Sequence, residues 1–119
     1  MKSFRDLRVW QTAHGLVLLT YKATKTFPKE ELFGITSQMR RAAVSITSNI
    51  AEGFARSTSK DREHFYVMAL GSLSELESQY QISIDLTYMD EEAWQQADEQ
   101  ILVCTKQLKA LLKAHRAKQ

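Results

Sequence analysis

The stretch Gln38 to Gly53, QMRRAAVSITSNIAEG, interleaves small, apolar and polar residues too tightly for an ordinary surface helix. Ile35, Met39, Ala42, Ile46 and Ile50 recur at steps of four and three, which lays one apolar stripe along a helix. Ala43 and Ala51 flank that stripe with side chains small enough to admit a neighbouring backbone, while Ser45, Ser48 and Asn49 put hydrogen-bonding groups on adjoining faces. A helix of this kind can be contacted from several sides and belongs at the centre of a helical packing. Gly53, about 1 kcal/mol worse than Ala inside a helix, marks either a close approach or the helix end.

The rest of the chain supplies helices to pack on it. Leu7, Trp10, His14, Val17, Tyr21 and Thr24 alternate steps of three and four, the seam of a first helix over about residues 6–25. Leu16 to Leu19 point around the whole circumference, so a second interface is expected, to another helix or another subunit, with Leu16, Leu18 and Leu19 as its candidates. Pro28 ends this helix because it lacks an N–H and biases Phe27 away from helical geometry. Pro28 to Leu32 predicts a short turn with Glu30 and Glu31 at its positive end, and Gly34 a break before the central helix, about 35–56.

Thr58 with Asp61 three residues on reads as a capping box, opening a third helix over about 59–87. Its stripe is Tyr66, Ala69, Leu73, Leu76, Tyr80 and Ile84, and Gly71 with Ser72 leaves room for a crossing neighbour. Asp90 caps a fourth helix, about 91–115, with Trp94, Ala97, Ile101, Cys104, Leu108, Leu111 and His115 at heptad spacing; the tail AKQ should fray. Four helices of about 30 Å with short connections describe an all-α, antiparallel up-down-up-down four-helix bundle, one domain over residues 1–119.

Cys104 is the single cysteine, which excludes an internal disulfide and suits a reducing compartment. The N-terminus has no signal-peptide pattern and Leu16 to Leu19 is far short of a bilayer span of about 20 residues, so a cytoplasmic, non-membrane protein is expected. Charge is divided along the chain: residues 1–62 carry eleven Lys or Arg against five Asp or Glu, 63–99 nine acids and no Lys or Arg, and 100–119 five bases and no acid. Two readings of that division stand: neutralisation between neighbouring helices or subunits, and an electrostatic footprint for nucleic-acid phosphates. For the footprint the candidates are Arg5, Arg8, Arg40, Arg41, Arg56, Lys60 and Arg62, although Arg40 and Arg41 point about 100° apart, so one of them is expected to be structural.

Catalytic and metal chemistry have little to rest on. His14, His64 and His115 lack the spacing of a helical metal site, and no cofactor is expected. His14 on the seam reads as a core or interface imidazole, and Cys104 as a small buried hydrophobe. Asn49 and Glu52 would serve an enzyme only inside an enclosed pocket; the simpler reading is a structural polar network of Ser45, Ser48, Asn49 and Glu52, since buried polar groups must be satisfied.

The run FPKEELFGITSQMRRAAVSITSNIAEG, followed by GSLSELE, resembles the bacterial four-helix bundle family of ribosomal RNA intervening-sequence proteins. The likeness extends over FRDLRVWQ at Phe4 to Gln11, Tyr21, and the segments from Phe27 to Gly53 and Gly71 to Glu77; Ile35 stands where Leu is usual and Thr47 where Pro is common. The family is similar in turn to the accessory protein of diversity-generating retroelements. That resemblance implies an antiparallel four-helix bundle, a ring-like homopentamer, and no enzymatic activity, with nucleic acid and reverse transcriptase bound through basic surface in the retroelement relatives. The expected function is therefore a non-enzymatic, homo-oligomeric scaffold that binds structured RNA or DNA or a nucleoprotein partner; the alternative is a purely structural or protein-interaction module.

Overall fold

The structure, a computed structural model, describes residues 2–118. Four α-helices follow one another without strands among the described residues: α1 Arg8–Thr24, α2 Ile35–Ala55, α3 Ser59–Asp85 and α4 Glu91–Ala117. They form an antiparallel bundle 46 Å long in which each helix packs on its chain neighbours and α4 returns to α1, so α1 and α3 stand on one diagonal.

Local chemistry fixes the breaks. The first expected helix is two pieces, because Ser3 and Asp6 close a capping box on a 3-10 turn, Phe4–Asp6, and Leu7 is extended before α1 begins. A second 3-10 turn, Lys29–Glu31, follows Pro28. Thr58 accepts a hydrogen bond from the Asp61 amide at 3.2 Å and Asp90 from the Ala93 amide at 2.8 Å, satisfying orphan donors at the starts of α3 and α4. α3 stops two residues before the expected position, and α4 runs two residues further, to Ala117; of the tail expected to fray, Gln119 lies outside the described residues.

The core follows the α2 stripe. Met39, Ala42, Ala43, Ile46 and Ile50 are buried against Tyr66, Ala69, Leu73, Leu76 and Tyr80 of α3. Gly53 is both a close approach and near the helix end: a β-carbon there would lie 2.7 Å from Tyr66 Cε1. Gly71 makes no such contact, since an added β-carbon meets nothing within 4 Å.

Leu7 and Thr24, the ends of the expected seam, are buried, but between them α1 is turned by one residue from it. Val9, Ala13, Leu16, Thr20 and Thr24 are buried, whereas His14 and Tyr21 face outward. Thr20 and Thr24 can go inside because each donates its hydroxyl to a carbonyl of its own helix, Leu16 at 2.8 Å and Thr20 at 2.7 Å. The large aromatics pack on the flank instead: Trp10 lies between Phe4 and His14, with His14 stacked on it at 4.9 Å. Leu16 is fully buried and Leu19 packs on the core, so of the three interface candidates Leu18 alone presents an exposed side chain; Leu16 belongs to the monomer's own interior.

Candidate nucleic-acid interface

Antiparallel alternation gathers the starts of α1 and α3 and the finishes of α2 and α4 at one end of the bundle. Contacts tie that end together. Arg62 Nε donates to the Arg56 carbonyl at 2.6 Å, His115 Nε2 meets the Ser59 carbonyl at 2.8 Å, and Arg116 pairs with Glu63 across α3 and α4. The Phe4–Asp6 turn packs on α2 and brings the start of α1 to the same place.

Basic side chains converge there from the first segment, the α2–α3 corner and α4. Lys2, Arg5 and Arg8 come from the first segment, Arg56, Lys60 and Arg62 from the α2–α3 corner, and Lys109, Lys113, Arg116 and Lys118 from the last turns of α4, against Asp6, Glu52, Asp61 and Glu63. The opposite end carries Glu30, Glu31, Asp85, Asp90, Glu91 and Glu92 against Lys22, Lys25 and Lys29. Two helix starts and two finishes meet at each end, so the helix dipoles largely cancel and the polarity belongs to the side chains.

Five of the seven sequence candidates, Arg5, Arg8, Arg56, Lys60 and Arg62, share the basic end; Arg40 and Arg41 do not. Arg40 lies in the other half of α2, where its Nε donates to Thr24 Oγ1 at 2.9 Å and its guanidinium rests 4.7 Å from the Tyr21 ring. It pins α2 to α1, while Arg41 is exposed in a groove with Glu75. Arg56 is partly occupied, paired with Glu52 at 2.5 Å and lying over the Phe65 ring at 4.8 Å. Arg8, Lys60, Lys109 and Lys113 have no side-chain partner among the described residues and are exposed to solvent.

Lys109, Lys113, Arg116 and Lys118 are absent from the sequence candidates, because along their own helix they simply suit its negative C-terminal end. The signal is present: in an up-down bundle the first turns of odd helices and the last turns of even ones share an end, so charge sorts by end and not by segment.

The polar residues of α2 divide. Asn49 Nδ2 donates to the Ser45 carbonyl at 2.9 Å and to Ser45 Oγ at 3.1 Å, and Ser45 Oγ meets Ser72 Oγ at 2.8 Å, a bridge from α2 to α3. Ser48 is exposed and Glu52 is spent on Arg56, so neither joins it and Asn49 with Glu52 makes no acid–base couple. Burial pushes the Cys104 thiol up to about 12, which leaves it protonated and unreactive at neutral pH. No helix among the described residues is long and apolar enough to cross a membrane.

A family model described as 23S rRNA-intervening sequence protein matches residues 5–110. Among solved structures, the chain is similar to the crystal structure of a protein of unknown function from the S23 ribosomal protein family of Bacteroides thetaiotaomicron. The identity is 21 %, the TM-score 0.82, and the match covers 88 % of this chain and 95 % of that one; a likeness at that identity speaks for the fold. None of the curated proteins matches the chain.

Proposed function

The chain belongs to the 23S rRNA-intervening sequence protein family, and from that premise we propose that it is a non-enzymatic helical scaffold that holds the phosphate backbone of structured nucleic acid against the basic end of its bundle, working as an assembly of several copies. The observation that carries this reading is the convergence of basic side chains from the first segment, the α2–α3 corner and the last turns of α4 on one end, several of them exposed and unpaired, with most of the compensating acids elsewhere. Such a surface makes point-charge contacts with phosphates and reads shape more than sequence. The family's name makes structured RNA the first ligand to try, with duplex DNA beside it.

The test is fluorescence anisotropy with a labelled RNA hairpin and a DNA duplex across a salt series. Binding should weaken steeply with salt, and an Arg8→Glu, Lys60→Glu double variant should lose most of it. Lys22→Glu with Lys25→Glu, at the other end, should change it little. Binding to neither ligand at low salt would leave the alternative, a structural or protein-interaction module.

A further inference from the structure

Phe33 is 92 % exposed and its neighbour Leu32 50 % exposed, in the turn that joins α1 to α2 at the acidic end. The turn is held firmly. Tyr88 donates its hydroxyl to Glu31 Oε2 at 2.8 Å, the Gly34 amide bonds to the Glu31 carbonyl at 2.9 Å, and the Leu32 amide to the Lys29 carbonyl at 3.1 Å. An aromatic ring on an ordered turn, flanked by Glu30 and Glu31, is a preformed knob that loses little conformational freedom on docking.

The complementary surface lies on the far side of the same molecule. Between α3 and α4, near the basic end, Val67, Leu70 and Leu112 floor an open groove of about 500 Å³ whose rim is Lys109, Lys113 and Arg116. Apolar floor faces apolar knob, and basic rim faces acidic flank. The knob sits between α1 and α2 at one end of a 46 Å bundle and the groove between α3 and α4 towards the other, so no copy can fill its own groove.

We propose that the Leu32–Phe33 knob of one copy docks into the α3–α4 groove of a second copy, with Glu30 and Glu31 against the lysines of the rim. This deepens the assembly part of the function proposed above and names its contact. The two surfaces differ, so the contact is head-to-tail and repeats from copy to copy into a ring or a filament. It also moves the contact away from Leu18.

Phe33→Glu and Val67→Glu both alter exposed side chains, and circular dichroism checks that each variant keeps its helices. In sedimentation velocity the unaltered protein should assemble, each variant should run as a monomer, and Leu18→Glu should still assemble. Mixed together, the two variants should form a 1:1 dimer and nothing larger, because the Val67→Glu copy brings a sound knob and the Phe33→Glu copy a sound groove. Glu30→Lys with Glu31→Lys should weaken assembly, and Lys109→Glu with Lys113→Glu should restore it in a mixture. If the unaltered protein is a monomer, both the assembly and this contact fall. If it assembles and Phe33→Glu assembles equally well, or the mixture stays monomeric, the assembly stands and this contact is wrong. Nucleic-acid binding is read separately by anisotropy, which keeps failure of the contact distinct from failure of the phosphate-binding surface.

Discussion

Thr87 has φ 62°, the left-handed region that a β-branched side chain avoids. It stands where α3 ends in a Schellman arrangement, its own amide bonded to the Ile84 carbonyl at 3.0 Å and the Tyr88 amide to the Ser83 carbonyl at 3.0 Å. The position asks for glycine, and Thr87→Gly should raise stability by about 1 kcal/mol, read as a higher urea midpoint at unchanged slope. Sequence reasoning places the break here but not the strain, since nothing local announces which residue takes positive φ. Tyr80 is the other residue with consequences beyond its neighbours. Its hydroxyl lies 2.8 Å from Thr20 Oγ1 across the bundle diagonal, and because Thr20 gives its proton to the Leu16 carbonyl, the tyrosine is the donor. Burial pushes the Tyr80 phenol from 10.0 up to about 12, as it pushes Cys104 from 9.0 up to about 12. The folded chain therefore keeps protons that the unfolded chain releases above pH 9 to 10. Stability is fully present below that range and falls as pH rises towards 12, by up to about 1.4 kcal/mol per pH unit for each group. Tyr80→Phe should cost about 0.5–1.5 kcal/mol near pH 7, and its stability should fall less steeply above pH 10 in urea titrations at stepped pH.

The elements show how far spacing carries. α2 and α3 are legible because large apolar residues on their stripes are buried: Met39, Ile46 and Ile50 pack in one core with Leu73, Leu76 and Tyr80 as the steps of three and four require. On α1 the same rule runs one residue off through the middle of the helix, although Leu7 and Thr24 at the ends of the expected seam are buried. It weights Trp10, Val17 and Tyr21 over Ala13 and Thr20, yet a narrow contact prefers small residues and a threonine whose hydroxyl is satisfied within its own helix. The small residues of the two central helices likewise differ in kind. Ala42 is 3 % exposed against the core, whereas a β-carbon on Gly71 would meet nothing within 4 Å. Ala42→Leu should therefore destabilise by about 1–3 kcal/mol through overpacking, while Gly71→Ala should stabilise by about 1 kcal/mol through helix propensity alone. Thermal and urea melts of the two variants should shift in opposite directions; a shared direction would mean that Ala42 and Gly71 sit in the same kind of space.

At the scale of the whole molecule, connectivity makes function out of charge. Residues 1–62 look basic and 63–99 acidic along the sequence, which suggests neutralisation between neighbours, but folding sorts the same residues into a basic end and an acidic end. The end-to-end polarity is within reach of the sequence once the up-down order is assumed; the groove is not, because it depends on where Val67, Leu70 and Leu112 are left uncovered between two packed helices. The two proposed uses of the basic residues respond differently to salt, and magnitudes separate them. A nucleic acid meeting about six of these side chains would lose affinity with a log–log slope near −0.9 per phosphate contact on duplex DNA, roughly a thousandfold for a fourfold rise in salt. The knob contact has about three rim charges at stake, each exposed pair worth at most about 1 kcal/mol, and a dehydrated aromatic ring that salt does not weaken. The same fourfold rise should cost it well under a hundredfold. Sedimentation with labelled RNA through a salt series should show the nucleic acid leaving while the protein assembly persists. An assembly that dissolves before the RNA is released would mean that the rim charges, and not Phe33, hold the copies together.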